Sequence, residues 1–101
     1  MTKLIKIIKS DKPNKKWDAF FKLENGKEKK VGFGFVNKKD LKNDYTLNQN
    51  KERRARYRKR HQKDLKTNNP LRAGYLSYYI LWGDSTNIKT NINSYRKRFN
   101  L

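Results

Sequence analysis

Cysteine is absent from the 101 residues, which excludes disulfides and thiolate metal sites and leaves a reducing compartment open. Histidine occurs once, so His61 has no second imidazole or thiol with which to share a cation and is expected to pack or hydrogen-bond beside Tyr57. Acidic residues are scarce as well, nine against 27 Lys and Arg. They are scattered, with Asp40 and Asp44 in a lysine-rich loop and Glu52 and Asp64 at the two ends of a basic stretch. That arrangement assembles no nucleophile and base and no carboxylate dyad, so no catalytic residue, metal or cofactor is expected. No phosphate-binding glycine loop occurs, and GFGF lacks the spacing and following helix of a dinucleotide fingerprint. Long apolar runs are missing too: nothing nears the roughly 20 residues of a membrane span. The opening MTKLIKIIKSDK interrupts its short apolar stretch with lysines, unlike a signal peptide. A soluble, non-secreted protein is expected.

What the chain has in excess is positive charge, +18 in formal terms. Self-repulsion on that scale is relieved by a polyanionic partner. Apolar residues make up only 34%, yet 13% are aromatic, which argues for a small aromatic core rather than disorder. The length suits one domain, residues 1–101, because a second unit would have too little core of its own.

KLIKIIK at 3–9 has no clean period, so strand and helix are both open, with the β-branched isoleucines favouring strand. KWDAFFKLENGKEKKVGFGFV at 16–36 is clearer. Trp17, Ala19, Phe21 and Leu23 alternate, then Val31, Phe33 and Phe35 do the same, which predicts a hairpin around Asn25-Gly26. A two-residue turn would set the two apolar sets on opposite faces. A three-residue loop, Glu24-Asn25-Gly26 with Gly26 left-handed, pairs Trp17 with Phe33 and Ala19 with Val31 and unites them. Gly32 and Gly34 then fall on the other face, as in a twisted exposed strand, and Phe33 and Phe35 are needed against the helices.

Three helices are predicted beyond the polar connection. The first covers about 52–66, starting at Thr46, with Gln49 as capping-box partner, or at Asn50. The second has Asn69 as cap, Pro70 at the first helical position and Gly83 past LRAGYLSYYILW. It is apolar nearly all round and so central, with Tyr75, Tyr78, Tyr79 and Trp82 mostly buried rather than stacking on bases. The third covers about 86–99, with Ser85 or Thr86 as cap and Ile88, Ile92, Tyr95 and Phe99 as its apolar stripe.

The first of these helices carries the functional signal. At about 100° per residue Tyr57, His61 and Leu65 form one narrow docking stripe, with Arg53, Arg56, Arg60 and Lys63 as a ridge beside it. Arg54 and Arg58 fall within the stripe, where each must snorkel or find an acidic or aromatic partner. A helix that uses charge only for solubility mixes both signs. This one barely does, and it prefers Arg in a Lys-dominated chain, which suits bidentate phosphate contact. Arg96, Lys97 and Arg98 form a second basic cluster, although cations also suit the end of a helix through its dipole.

DYT, ERRARYRKRH, NNPLRAGYLSYYILWG and NINSYRKRFNL follow one another in an order that resembles a family of small basic proteins of unestablished function encoded by giant viruses, the nucleocytoplasmic large DNA viruses. Its members read DYT, RY..RH, a Pro-containing AG.LS..ILW helix and a final Y.-K/R-RF.L, and the resemblance covers about Val31 to Leu101. It implies a viral protein carried in the particle or acting inside the infected cell, in a cytoplasmic factory or the nucleus, and it supplies no catalytic residues.

The sequence therefore leads to an α+β fold, a small antiparallel sheet of two or three strands, including a 17–35 hairpin, packed on a three-helix C-terminal unit. Its expected role is sequence-tolerant binding of nucleic acid, DNA ahead of RNA, in viral genome condensation or packaging. Arg53, Arg56, Lys59, Arg60 and Lys63 would contact phosphates, extended by Arg96, Lys97 and Arg98. The alternative is a structural virion protein whose basic face meets acidic capsid or core proteins. No membrane partner is expected, since the ridge has no apolar residues beside its charge.

Overall fold

Leu4 and Ile7 lie three residues apart, a spacing that cannot place both on one face of a regular strand. In the structure, a computed structural model that describes residues 1–101, strand β1 (Lys3–Lys9) resolves this with a bulge. Leu4 sits opposite Phe21 and Lys6 opposite Phe20, so Ile5 is the extra residue, and Ile7 returns to the inner face opposite Ala19. Leu4 is buried and Ile7 half-buried, whereas Ile5 and Ile8 are exposed.

Strands β2 (Lys15–Lys22) and β3 (Glu28–Phe35) form the hairpin, and β2 is the middle strand of a three-stranded antiparallel sheet. Trp17 faces Phe33 and Ala19 faces Val31. The Leu23 amide donates to the Lys27 carbonyl at 2.8 Å, which closes the three-residue loop, and Gly26 has φ +83°. This is the register that the alternation requires.

Phe35 departs from the pattern. It was expected on the core face with Val31 and Phe33, but it is 67% exposed. The cause is Gly34, which has φ +84° and is itself buried rather than on an exposed face. A left-handed residue breaks the two-residue alternation. A Cβ at Gly34 would lie 2.9 Å from Leu81 Cδ1 and 3.0 Å from Lys16 Cβ, so the strand end also needs glycine for room.

Four helices follow, one more than expected. Helix α1 (Tyr45–Asn48) is a single turn that starts after Asp44 and ends at the left-handed Gln49, so Thr46 lies inside it and does not form the expected capping box with Gln49. Helix α2 (Lys51–His61) begins at Asn50, whose side chain accepts from the Glu52 and Arg53 amides, and it continues as a 3-10 turn over Gln62–Thr67. Helix α3 (Ala73–Leu76) starts three residues later than Pro70 suggests. Asn69 instead closes a separate turn, its side chain accepting from the Leu71 amide and its carbonyl from the Arg72 amide, and the Pro70 carbonyl there receives the Tyr95 hydroxyl. After α3 the helix widens to a π turn over Ser77–Leu81, with the Trp82 amide reaching back to the Ser77 carbonyl. Helix α4 (Ile88–Phe99) is capped by Asn87, which accepts from the Thr90 amide, rather than by Ser85 or Thr86.

The core joins Leu4, Ala19, Phe21 and Phe33 of the sheet to Leu76, Ile80, Leu81 and Trp82 and to Tyr95 of α4. The α3 segment is central, as its all-round apolar pattern predicts, and Tyr75, Tyr78 and Trp82 are buried in it. Asn91 adds a buried polar tie, its amide donating to the Ile80 and Ser85 carbonyls.

Replacing Gly34 with alanine combines a left-handed φ with overpacking against Leu81, and is expected to cost about 2–4 kcal/mol in urea unfolding. Gly26→Ala has a similar φ but open space around it, and should cost only about 1 kcal/mol. Equal losses at the two sites would show that the contact with Leu81 does not matter.

Candidate nucleic-acid interface

Helix α2 buries no residue completely, so its position depends on specific attachments. The first is a ring stack. Tyr57 lies parallel to Trp82 at 4.3 Å between centroids and carries His61 on its other face at 4.1 Å. The second is a clamp by the two arginines of the docking stripe. Arg54 Nε donates to the Gly83 carbonyl at 2.7 Å and its Nη2 to Asp84 at 2.8 Å, while Arg58 Nη1 donates to the Trp82 carbonyl at 2.8 Å. Arg58 also lies over the Tyr78 ring at 4.1 Å and Arg54 over Tyr45 at 5.5 Å. Both therefore cap the end of the central helix, where carbonyls lack helical donors.

Lys51 is exposed at the start of α2, and the remaining cations divide into two groups. Arg53 pairs with Asp40 at 2.7 Å and fixes the connecting loop. Arg56, Lys59, Arg60 and, just beyond the helix, Lys63 are exposed and have no hydrogen-bond or ion-pair partner in the protein. Lys59, Arg60 and Lys63 join Lys66 around an open groove along the 3-10 turn.

Arg56 and Arg60 also line a cleft of about 670 Å³ between α2, the start of β2, the end of β3 and α3. Its loop wall is fixed by the buried Asp44, which receives Lys16 Nζ and the Thr46 hydroxyl, both at 2.5 Å. Asn43 accepts from the same lysine and donates to the Phe35 carbonyl. His61 Nδ1 faces Asp64 at 3.0 Å. The stretches DYT, RYRKRH, AGYLS and ILW, apart in sequence, thus meet around one cavity. Lys15 and the exposed Phe35 also line it. Neither carries a signal in the sequence: Lys15 is one lysine among many, and Phe35 reads as core until the Gly34 backbone is known.

The second basic cluster stands apart from this surface. Arg96 donates from Nε and Nη2 to the Leu4 carbonyl, at 3.2 and 3.1 Å, and from Nη2 to the Ile5 carbonyl at 3.2 Å. Arg98 lies over the Tyr79 ring at 4.9 Å. Lys97 is exposed without a partner. No helix is long and apolar enough to cross a membrane.

The model of a protein family described as "Family of unknown function (DUF5754)" matches residues 5–61, more than half of the chain. The chain belongs to this family. No curated protein and no solved structure matches it. The DUF5754 stretch takes in the sheet from Ile5 onward, the loop wall of the cleft and all of α2. It stops short of Trp82 and Gly83, whose carbonyls hold α2 in place.

Burial, and next the charge of Asp64, push the Tyr57 hydroxyl up to about 12 from 10.0, with Arg60 pulling the other way. The folded state thus holds this proton more tightly than the unfolded chain. Stability linked to it is complete below pH 10 and disappears as the pH rises through about 12. Tyr57→Phe should accordingly show a flatter loss of melting temperature across that window than wild type. Arg58→Ala should cost about 2 kcal/mol, from a charge-assisted hydrogen bond and a cation–π contact, and should lower the helical circular dichroism. A variant as stable as wild type would show that the clamp is not what holds α2.

Proposed function

We propose that the protein binds nucleic acid without sequence preference, DNA ahead of RNA, through phosphate contacts made by α2. The observation that carries this reading is the row of exposed, partner-free cations Arg56, Lys59, Arg60 and Lys63 on a helix whose other arginines are tied down. Arg56 and Arg60 are one turn apart, about 6 Å along the axis, and can engage phosphates as bidentate forks. Binding displaces condensed counterions, which gives affinity without base readout. Arg53 and Arg96 already hold protein partners and act as supports, while Lys97 and Arg98 offer an outlying contact. Together with the net charge of +18 and the resemblance to giant-virus proteins, this reading suits genome condensation or packaging.

Duplex binding followed by fluorescence anisotropy between about 50 and 300 mM salt tests the proposal. If four cations each neutralise one phosphate, log K should fall with log salt at a slope of about −3.6, and Arg56→Glu/Arg60→Glu should lose at least half of it. The same slope in the folded double mutant would remove α2 from the interface. Duplex affinity too weak to measure, alongside capture of one acidic particle protein, would favour the structural virion role instead.

A further inference from the structure

The cleft beside α2 has a chemistry of its own. Two of its cations are already neutralised in place, Lys16 by Asp44 and Arg53 by Asp40, and its third carboxylate, Asp64, faces His61 Nδ1 at 3.0 Å. Three other cations are not neutralised: Lys15 projects from the start of β2, and Arg56 and Arg60 from successive turns of α2, and none has an ion-pair or hydrogen-bond partner. With the cleft's carboxylates all engaged, the uncompensated charge on its walls is positive. An anionic group that enters between β2 and α2 meets donors from two sides.

The second property is aromatic. The Trp82–Tyr57–His61 stack runs from the core outward and ends at His61, whose side chain is 38% exposed. Phe35, 67% exposed, lines the same cavity from the strand end. A ring stack that stops at a solvent-facing imidazole offers its last face to another planar ring. At about 670 Å³ the cavity is in the range of small-ligand sites. Bases stacked inside a duplex cannot reach such a place.

We propose that this cleft receives one unpaired nucleotide, its phosphate held by Arg56, Arg60 and Lys15 and its base stacked on His61 with Phe35 at the rim. The inference rests on the nucleic-acid reading above and narrows it. The protein prefers ends, gaps or single-stranded stretches over continuous duplex, with the outer cations Lys59 and Lys63 serving the neighbouring phosphates.

Anisotropy titrations at one salt concentration, with a blunt duplex and a duplex of equal phosphate count carrying a short single-stranded overhang, provide the test. Wild type should favour the overhang by about tenfold, the scale of one stacked base. Phe35→Ala and His61→Ala leave the formal charge unchanged, and each should reduce that preference severalfold while blunt-duplex affinity and its salt slope stay as in wild type. Phe35 is mostly exposed, so its variant remains informative even if loss of His61 disturbs the stack. Equal wild-type affinity for the two DNAs, or a preference that survives both substitutions, overturns the cleft proposal and leaves the α2 reading standing. If neither DNA binds, the α2 reading has failed. Calorimetry with deoxyadenosine monophosphate then decides the cleft alone: binding that Phe35→Ala weakens supports a free-nucleotide site, and no binding overturns it.

Discussion

The basic helix stays where it is because two of its own arginines hold the end of another helix. Arg54 and Arg58 reach the Gly83 and Trp82 carbonyls, and Tyr57 stacks on the Trp82 ring between them in sequence. Helix α2 has no fully buried side chain to offer the core, so burial alone would fix it poorly. The clamp also sets its rotation. With Arg54, Tyr57 and Arg58 turned inward, Arg56 and Arg60 must point to the cleft and Lys59 and Lys63 to the open groove beyond. The same residue type thus serves two ends on one helix, as a cap where carbonyls wait and as a free donor where none do.

Charge is allocated just as unevenly across the molecule. Six of the nine acidic residues pair with a Lys, Arg or His, and the better placed of these pairs fix something specific. Asp44 with Lys16 anchors the connecting loop to the sheet, Asp40 with Arg53 ties that loop to α2, and Asp64 sits beside His61 below the cleft. Exposed ion pairs add little to stability. Their larger effect here is to engage every carboxylate that lines the cleft, so that Arg56 and Arg60 find no acidic partner within it.

Much of this architecture was legible in the residues. Alternation on both sides of Asn25-Gly26 admits only one loop length that unites Trp17, Ala19, Val31 and Phe33, and that register is observed. The all-round apolar character of residues 71–82 marks the central helix for the same reason, since no other surface could cover it. Positions where backbone geometry overrides pattern were not legible. A bulge at Ile5 hides the period of β1, the left-handed Gly34 sends Phe35 outward, and the Pro70 turn delays α3. The ridge on α2 could be read from helical geometry, but the cleft could not. It exists only once the loop before α1, the strand ends and α3 come together, and no local pattern encodes that meeting.

The guanidinium of Arg96 occupies the carbonyls at the β1 bulge, on a strand that is an edge of the sheet. An edge with waiting acceptors and exposed isoleucines is where a foreign strand would add itself. Bulge, lysines and Arg96 together close that opportunity in the folded protein. During synthesis the order is unfavourable, because Leu4 leaves the ribosome 92 residues ahead of the arginine that covers it. Until then the growing chain has only like-charge repulsion to keep neighbouring nascent edges apart, so Lys6 among the isoleucines of β1 and Lys3 and Lys9 at its ends protect it before the fold can.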